Sequence, residues 1–254
     1  MTGSDAAFEF LFGCPKNMIH RSVILTPFGP ANRFAGGKGK GIPFKGRLYS
    51  GVNVENGGNA YTVVKCPIGA SPAGDCVLFL GAAGCEKLVY SASCGGLDPS
   101  SIGEVIICRS AFPGGGFSDY YQSGADITKI LTGYVPLEAS CGILEEAWLK
   151  AKTLEEGGDV FRKGDIFSIG SLAAETTENM FHIREEGFIG IDMELAAVYQ
   201  SARVSDMAAV GILYVSDLPS KRPFWDELSI QEKQKLENAA QMTEQLARMV
   251  ISAR

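Results

Sequence analysis

Histidine is almost missing from this chain: only His20 and His182 occur among its 254 residues. An imidazole-based zinc site is therefore not expected, and no metal is. A Ser–His–Asp triad is not expected either, because no G-x-S-x-G elbow occurs. The seven cysteines, Cys14, Cys66, Cys76, Cys85, Cys94, Cys108 and Cys141, are odd in number, widely spaced and without a CxxC pair. They read as reduced, mostly buried thiols rather than a disulfide framework. Basic excess is missing too. Lys plus Arg is 23 against 29 Asp plus Glu, a formal net charge of −6, which argues against a nucleic-acid partner. No apolar run reaches the roughly 18 residues of a membrane span. The opening MTGSDAAFEFLFGCPK has no basic segment ahead of an apolar one, so no secretory signal is expected and the expected compartment is the cytoplasm.

What remains is an ordinary globular composition, 46% hydrophobic and 20% charged, of a length that suits one domain spanning residues 1–254. Short β-branched runs alternate with helical stretches. Val23-Ile24-Leu25 reads as a strand, as do 61–65, 87–92, 104–108, 165–169 and 208–215. Helical patterns cover 73–81, 142–155 and 193–203. A last helix opens on Ser229-Ile230-Gln231-Glu232, a capping box, and places Leu236, Ala239, Ala240, Leu246, Met249 and Val250 on one broad face. Such alternation predicts a single α/β domain with a mixed, mostly parallel sheet flanked by helices.

Three glycine-rich stretches differ in meaning. Gly36-Gly37-Lys38-Gly39-Lys40-Gly41 has no Ser or Thr after a Gly-Lys pair and no helical pattern behind it, so it reads as a surface loop, not a phosphate loop. Pro113-Gly114-Gly115-Gly116 reads as a flexible turn. Ser91-Ala92-Ser93-Cys94-Gly95-Gly96 follows a buried strand, so small residues and free N–H groups fall at a strand's carboxyl end, where open α/β sheets bind ligands.

Two more segments end at similar places. Gly187-Phe188-Ile189-Gly190-Ile191 is an apolar run that delivers Asp192-Met193-Glu194 to the mouth of a helix, and 208–215 ends in Ser216-Asp217. Three strand ends are thus expected to converge, carrying Ser93, Glu194 and Asp217. Taken singly, Glu194 reads as a helix-terminal carboxylate favoured by the dipole and Asp217 as a turn residue. In this order and with these flanks, the three together outweigh those separate readings.

The combination Pro67-Ile68-Gly69-Ala70-Ser71, Tyr90-Ser91-Ala92-Ser93-Cys94-Gly95-Gly96, Asp192-Met193-Glu194-Leu195-Ala196-Ala197 and Val215-Ser216-Asp217 resembles the nucleoside phosphorylase and nucleosidase superfamily. The match runs from about residue 60 to 217, with a looser part over Val23–Pro30. The resemblance implies a three-layer fold and cleavage of a nucleoside N-glycosidic bond, with phosphate as co-substrate and no organic cofactor. It implies that Met193 and Glu194 hold the ribose and that Asp217 is the acid for the leaving base. Ser93, Gly29, Arg33 and Arg47 would bind phosphate; Cys94, Gly95, Phe167 and Leu172 would line the base pocket. It also implies a homo-oligomer, a dimer or hexamer, in which a neighbour's arginine, with Arg47 as candidate, completes the pocket.

The departures are chemical. Phosphorolytic members usually carry an arginine three residues before the loop serine, and Tyr90 stands there. A phenol cannot supply a cationic fork. Phe28-Gly29-Pro30-Ala31-Asn32-Arg33 is a blurred version of the family's Gly-Asp-Pro turn, so Arg33 reads equally as surface charge. Leu172 stands where an aromatic often stacks on the base. Glu175, Thr176, Thr177, Glu178 and Asn179 offer no Gln and Arg pair for a pyrimidine, which weakens a uridine substrate. Lys221-Arg222-Pro223-Phe224-Trp225 reads as a surface turn with a packed Trp225 in preference to a lid. These readings favour phosphorolysis. The alternatives are hydrolysis by water and a nucleoside-binding protein without turnover.

Overall fold

The computed structural model describes residues 4–35, 41–56, 58–155 and 160–252. Of the first glycine-rich loop, positions 36–40 lie outside these residues. In chain order the elements are α1 (Asp5–Phe12), β1 (Ser22–Thr26), β2 (Ile42–Lys45), β3 (Ser50–Asn56), β4 (Asn59–Lys65), α2 (Ala70–Ala82) and β5 (Lys87–Gly96). Then follow β6 (Val105–Gly114), α3 (Ile127–Gly133), β7 (Leu137–Glu138), α4 (Cys141–Leu154), β8 (Phe161–Ile169) and α5 (Thr177–Glu185). The chain ends with β9 (Gly190–Asp192), α6 (Leu195–Val204), β10 (Ala208–Asp217) and α7 (Ile230–Ile251).

The α/β class expected from the alternation is what the chain adopts. β1 lies parallel to β4 and to β5, and β5 parallel to β10, so the strands with the longest apolar runs are interior and buried on both faces. Val23, Ile24, Leu25, Leu88, Val89, Val210 and Ile212 are fully buried. Antiparallel pairs extend the sheet outward through β4, β3 and β2.

One feature of the topology was not legible from periodicity. β10 pairs with both β5 and β6, β6 with β8, β8 with β9, and β9 with β5, so five strands close into a small barrel on the flank of the open sheet. Closure runs through Gly95 and Gly96, which face Ile191 and Gly190 of the three-residue β9. A short strand between two glycine pairs tolerates the sharp turn a small barrel demands. Pro113 and Gly114 belong to the end of β6 rather than to a turn, and only Gly115 takes a left-handed φ, of 78°.

Helix packing sets the site. In α2, Gly74 faces α6, where an added Cβ would stand 3.2 Å from the Ser201 hydroxyl and 3.5 Å from the Ala197 methyl. The missing side chain lets the two helices run close together. The long apolar face of α7 covers the opposite side through Ala239, Leu246, Ala247 and Val250, all buried. Six cysteines are free and buried; Cys141 is free and exposed. Among the described residues no helix is long and apolar enough to cross a membrane.

Candidate active site

Glu194 resolves the first of the two competing readings. It occupies the N-cap position of α6, yet its side chain does not cap that helix. Asp192 does so instead: its Oδ2 accepts from the N–H groups of Glu194 (3.1 Å) and Leu195 (2.6 Å), while its Oδ1 accepts the Ser168 hydroxyl at 2.6 Å. Released from capping, the Glu194 carboxylate crosses to α2. Its Oε1 accepts from the Gly69 N–H at 2.6 Å and its Oε2 from the Tyr90 hydroxyl at 3.0 Å. Gly69 is the N-cap of α2 with φ +114°, a conformation suited to glycine, and it brings a positive helix end to the carboxylate.

Only 3% of Glu194 is exposed. Burial raises its pKa, and the hydrogen bonds from Gly69 and Tyr90 oppose the rise. Burial and the Glu194 charge push Asp192 up to about 7. The Met193 N–H also favours the carboxylate; of the roughly four acceptor sites a carboxylate offers, about one is left for a ligand hydroxyl. Tyr90 is fully buried, with its phenol held far from ionisation by burial first and by Glu194 and Asp192 next. The residue standing at the arginine position is thus a neutral donor committed to Glu194.

Asp217 ends β10 and is buried, with 7% exposed. It caps no described helix. Its Oδ1 accepts the Ser216 hydroxyl at 2.8 Å, and burial raises its pKa. Gly95 pairs with Asp217 on one side and Ile191 on the other. Two strand spacings put the backbones of Asp217 and Ile191, two residues before Met193, about 10 Å apart. The charges of Asp192 and Asp217 both reach the buried Cys94 thiol between them and, after burial itself, raise its pKa. Asp192 and Asp217 thus both lie within electrostatic reach of the Cys94 thiol.

Around them, the expected residues separate. Met193 is partly buried beside the second apolar cluster, whose members include Leu97, Phe112 and Phe167. Gly95 packs against Pro219 and Ile191, where a Cβ would meet Pro219 at 2.8 Å. Cys94 is 3% exposed, beneath the surface of the site. Phe167 is a correction to the base-pocket assignment. It is 0% exposed, stacked on Phe112 with ring centroids 5.7 Å apart and edge-on to Phe188, so it fills the core and offers no face to a ligand. Leu172 is 47% exposed. Trp225 follows a turn closed by a Leu218–Arg222 bridge and is 69% exposed, its ring meeting only Phe224, edge-on at 4.9 Å, among the described rings.

Of the phosphate candidates, Gly29 and Arg33 line a cavity of about 110 Å³ with Thr26, Ser91, Tyr214 and Thr243. Ser93 sits opposite Tyr214 in the β5–β10 register, and its hydroxyl opposes the burial that raises the phenol's pKa. Arg33 is not free there, since its Nε lies 2.8 Å from Glu244 Oε1 on α7. Arg47 lies elsewhere in this chain. It sits on the turn between β2 and β3, exposed, with its backbone N–H on the Phe10 carbonyl of α1.

Glu175 is the residue that the sequence reading passed over. It follows the short 3-10 turn Leu172–Ala174, is half-buried, and is pushed up to about 7 by burial and then by the Asp217 charge. Glu175 thus keeps its proton to near neutral pH, and Asp217, whose charge acts on it, is itself raised by burial. The signal available was a carboxylate just after β8, on the loop expected to face the base.

Glu194, braced by a helix N-terminus, can accept from a ligand hydroxyl, and Asp217 and Glu175, both raised by burial, can hold a proton for a leaving group. The phosphorylase superfamily profile matches residues 23–252, and the chain belongs to that superfamily. Solved structures share the fold. They include uridine phosphorylase from Vibrio fischeri ES114 (TM-score 0.74, 20% identity, 93% of each chain covered). Purine nucleoside phosphorylase from Toxoplasma gondii, in complex with immucillin-H, superposes with TM-score 0.70 at 18% identity over 92% of each chain. AMP nucleosidase from Bacteroides thetaiotaomicron VPI-5482 gives 0.69 at 18% identity over 97% of this chain and 95% of that one. No curated protein matches the sequence.

Proposed function

We propose that this protein cleaves the N-glycosidic bond of a purine nucleoside, with water as the nucleophile. The observation that carries the cleavage itself is the release of Glu194 from capping, which leaves an ionisable carboxylate aimed across to Gly69 and Tyr90 with about one acceptor site spare. That site suits a ribose hydroxyl, with Met193 beside the sugar. As the bond stretches, C1′ becomes cationic, and a fixed negative charge in a dry site favours that state more than the ground state.

Asp217 and Glu175 stand at the base end. With one proton between them, the pair donates to the ring nitrogen that gathers charge, while the ionised partner accepts from a ring N–H or an amino group. A purine offers both functions. In the reaction the water oxygen bonds to C1′ as the C1′–N bond breaks. The electron pair of that bond leaves with the base, which takes the carboxyl proton. The proton lost by the attacking water returns through solvent to the carboxylate pair, so the products are free base and free sugar.

Water is favoured by charge. Tyr90 is neutral and spent on Glu194, and Arg33 is paired with Glu244, so among the described residues an anionic nucleophile would meet the carboxyls of Glu194, Asp217 and Glu175 with no unpaired arginine of the phosphate candidates beside them. A second reading, phosphorolysis to a sugar 1-phosphate, is supported by the shared cavity of Gly29 and Arg33 beside the Ser93–Tyr214 pair. In that reading Arg47 of a second copy would supply the missing cation. The test is a nucleoside panel incubated with and without phosphate, with release of free base followed by chromatography. Equal release of a purine in both arms is expected; release only with phosphate establishes the second reading, and binding without release removes both.

Glu175→Gln tests the base end. In the parent Glu175 holds its proton to about 7, through burial first and the Asp217 charge second. The substitution removes the group that holds its proton to about 7 and leaves Asp217 as the acid. The alkaline limb of the kcat/KM profile is expected to move to lower pH, with the largest loss above neutrality and little at pH about 5. An unmoved limb removes Glu175 from the acid.

A further inference from the structure

The cavity under Gly29 holds one unexplained polar group. Thr243 of α7 is 1% exposed, and its hydroxyl has no hydrogen-bond partner, although buried hydroxyls are nearly always paired. It lines the same 110 Å³ space as Thr26, Ser91 and Tyr214, with Arg33 on one wall and Glu244 on another. That volume holds one or a few waters. An orphan hydroxyl on the wall of a polar cavity marks the place of a small hydrogen-bonding guest.

The charges decide which guest. Arg33 and Glu244 are the charged residues lining the cavity among the described residues, and they are joined at 2.8 Å. Glu244 is the more buried partner, at 14% against 44% exposed. Arg248, one turn further along α7, also acts on Glu244 but directs its Nη1 to the Arg33 carbonyl at 3.2 Å and does not line the space. A phosphate entering would have to displace Glu244 from Arg33 and then sit beside that carboxylate, at a cost in repulsion and desolvation. A water pays neither.

We propose that Glu244 is a specificity-determining residue: by occupying Arg33 it makes this cavity a site for water, held by Thr243, and excludes inorganic phosphate. The inference rests on the hydrolytic reading above and adds the residue that enforces it. The sequence could not show it, because Arg33 and Glu244 lie 211 positions apart and α7 reads only as an amphipathic cover.

Glu244→Gln keeps the shape and removes the charge. Inorganic phosphate titrated against each protein, followed by phosphorus NMR linewidth, is expected to bind this variant at least about tenfold more tightly than the parent, the scale of freeing one charge-assisted contact. Adding Arg33→Met should abolish the gain. Equal phosphate affinity in parent and Glu244→Gln overturns the proposal. Thr243→Val guards against a folding artefact. A hydroxyl with no protein partner takes no protein hydrogen bond with it, so melting temperature should stay close to the parent's while base release in water falls about tenfold through loss of the positioned water. Unchanged release overturns the role of Thr243. Failure of the underlying reading looks different. If the chain releases no base but Glu244→Gln gains phosphate affinity, hydrolysis falls and the masking of Arg33 stands. If base is released without phosphate and no affinity is gained, the masking falls and hydrolysis stands.

Discussion

Replacing Asp217 by Asn should slow release of a purine base by about 10²-fold or more, the usual contribution of a positioned general acid. Asn keeps the volume and can still accept the Ser216 hydroxyl, so the contact at 2.8 Å survives while the transferable proton does not. The effect should depend on the leaving group. A base that departs easily as an anion needs little protonation, and the variant should approach the parent on such a substrate. Stability provides a separate check. Burial raises the folded-state pKa of Asp217 above its unfolded value. Such a group is a cost once pH exceeds the unfolded value: its contribution is most favourable at low pH and is lost as pH rises through the folded pKa. A neutral Asn escapes that loss, so the variant should melt at or above the parent at pH about 8. Low activity with an intact or raised melting temperature assigns Asp217 to the chemistry. Unchanged turnover assigns it to packing at the end of β10.

Much of this architecture was legible in the sequence because strands that are buried on both faces announce themselves. Val23-Ile24-Leu25 and the apolar part of β10 sit in the middle of the sheet, where their composition placed them. The hairpin of β2 and β3 was not legible. Gly51 and Asn53 dilute its pattern, and its burial comes from β4 and from the turn that carries Arg33. Helix α5 was missed for a related reason: only Met180 and Ile183 of its nine residues are buried, too few to set a period. Phe167 was misplaced because a residue beside a binding loop can point either way, and a one-residue step along β8 exchanges core for site.

The candidate site was readable in its carboxylates and unreadable in their partners. Motif order indicated that Glu194 and Asp217 belong together. It could not show that Asp192 takes over the cap of α6, which is what frees Glu194. Tyr90 is the sharpest case. The sequence showed that an arginine was missing at that position, a statement about phosphate, whereas the fold gives the phenol a hydrogen bond to Glu194. Partnerships between residues 104 positions apart, like Tyr90 and Glu194, arise from α2, α6 and β5 meeting and leave no local trace.

Glu194→Gln should reduce kcat/KM by roughly 10²–10³-fold, because it removes both the negative charge facing C1′ and one of two acceptor atoms. The geometry sharpens the expectation. Gly69 and Tyr90 each donate to a different oxygen of Glu194, so an amide placed there must turn its NH₂ group toward one donor. That conflict does not arise with Tyr90→Phe, which leaves the carboxylate and removes a single donor. Tyr90→Phe should lower stability by about 1–3 kcal/mol, the cost of stripping a partner from a buried polar group, and should weaken turnover far less than Glu194→Gln. Substrate analogues separate binding from chemistry. On a 2′,3′-dideoxynucleoside the hydroxyl contacts are absent from both enzymes, so the loss caused by Glu194→Gln should shrink to the electrostatic part alone. If the loss is the same with and without the hydroxyls, Glu194 acts only through its charge. If Tyr90→Phe costs as much turnover as Glu194→Gln, the phenol, rather than the carboxylate it braces, is the group that meets the sugar.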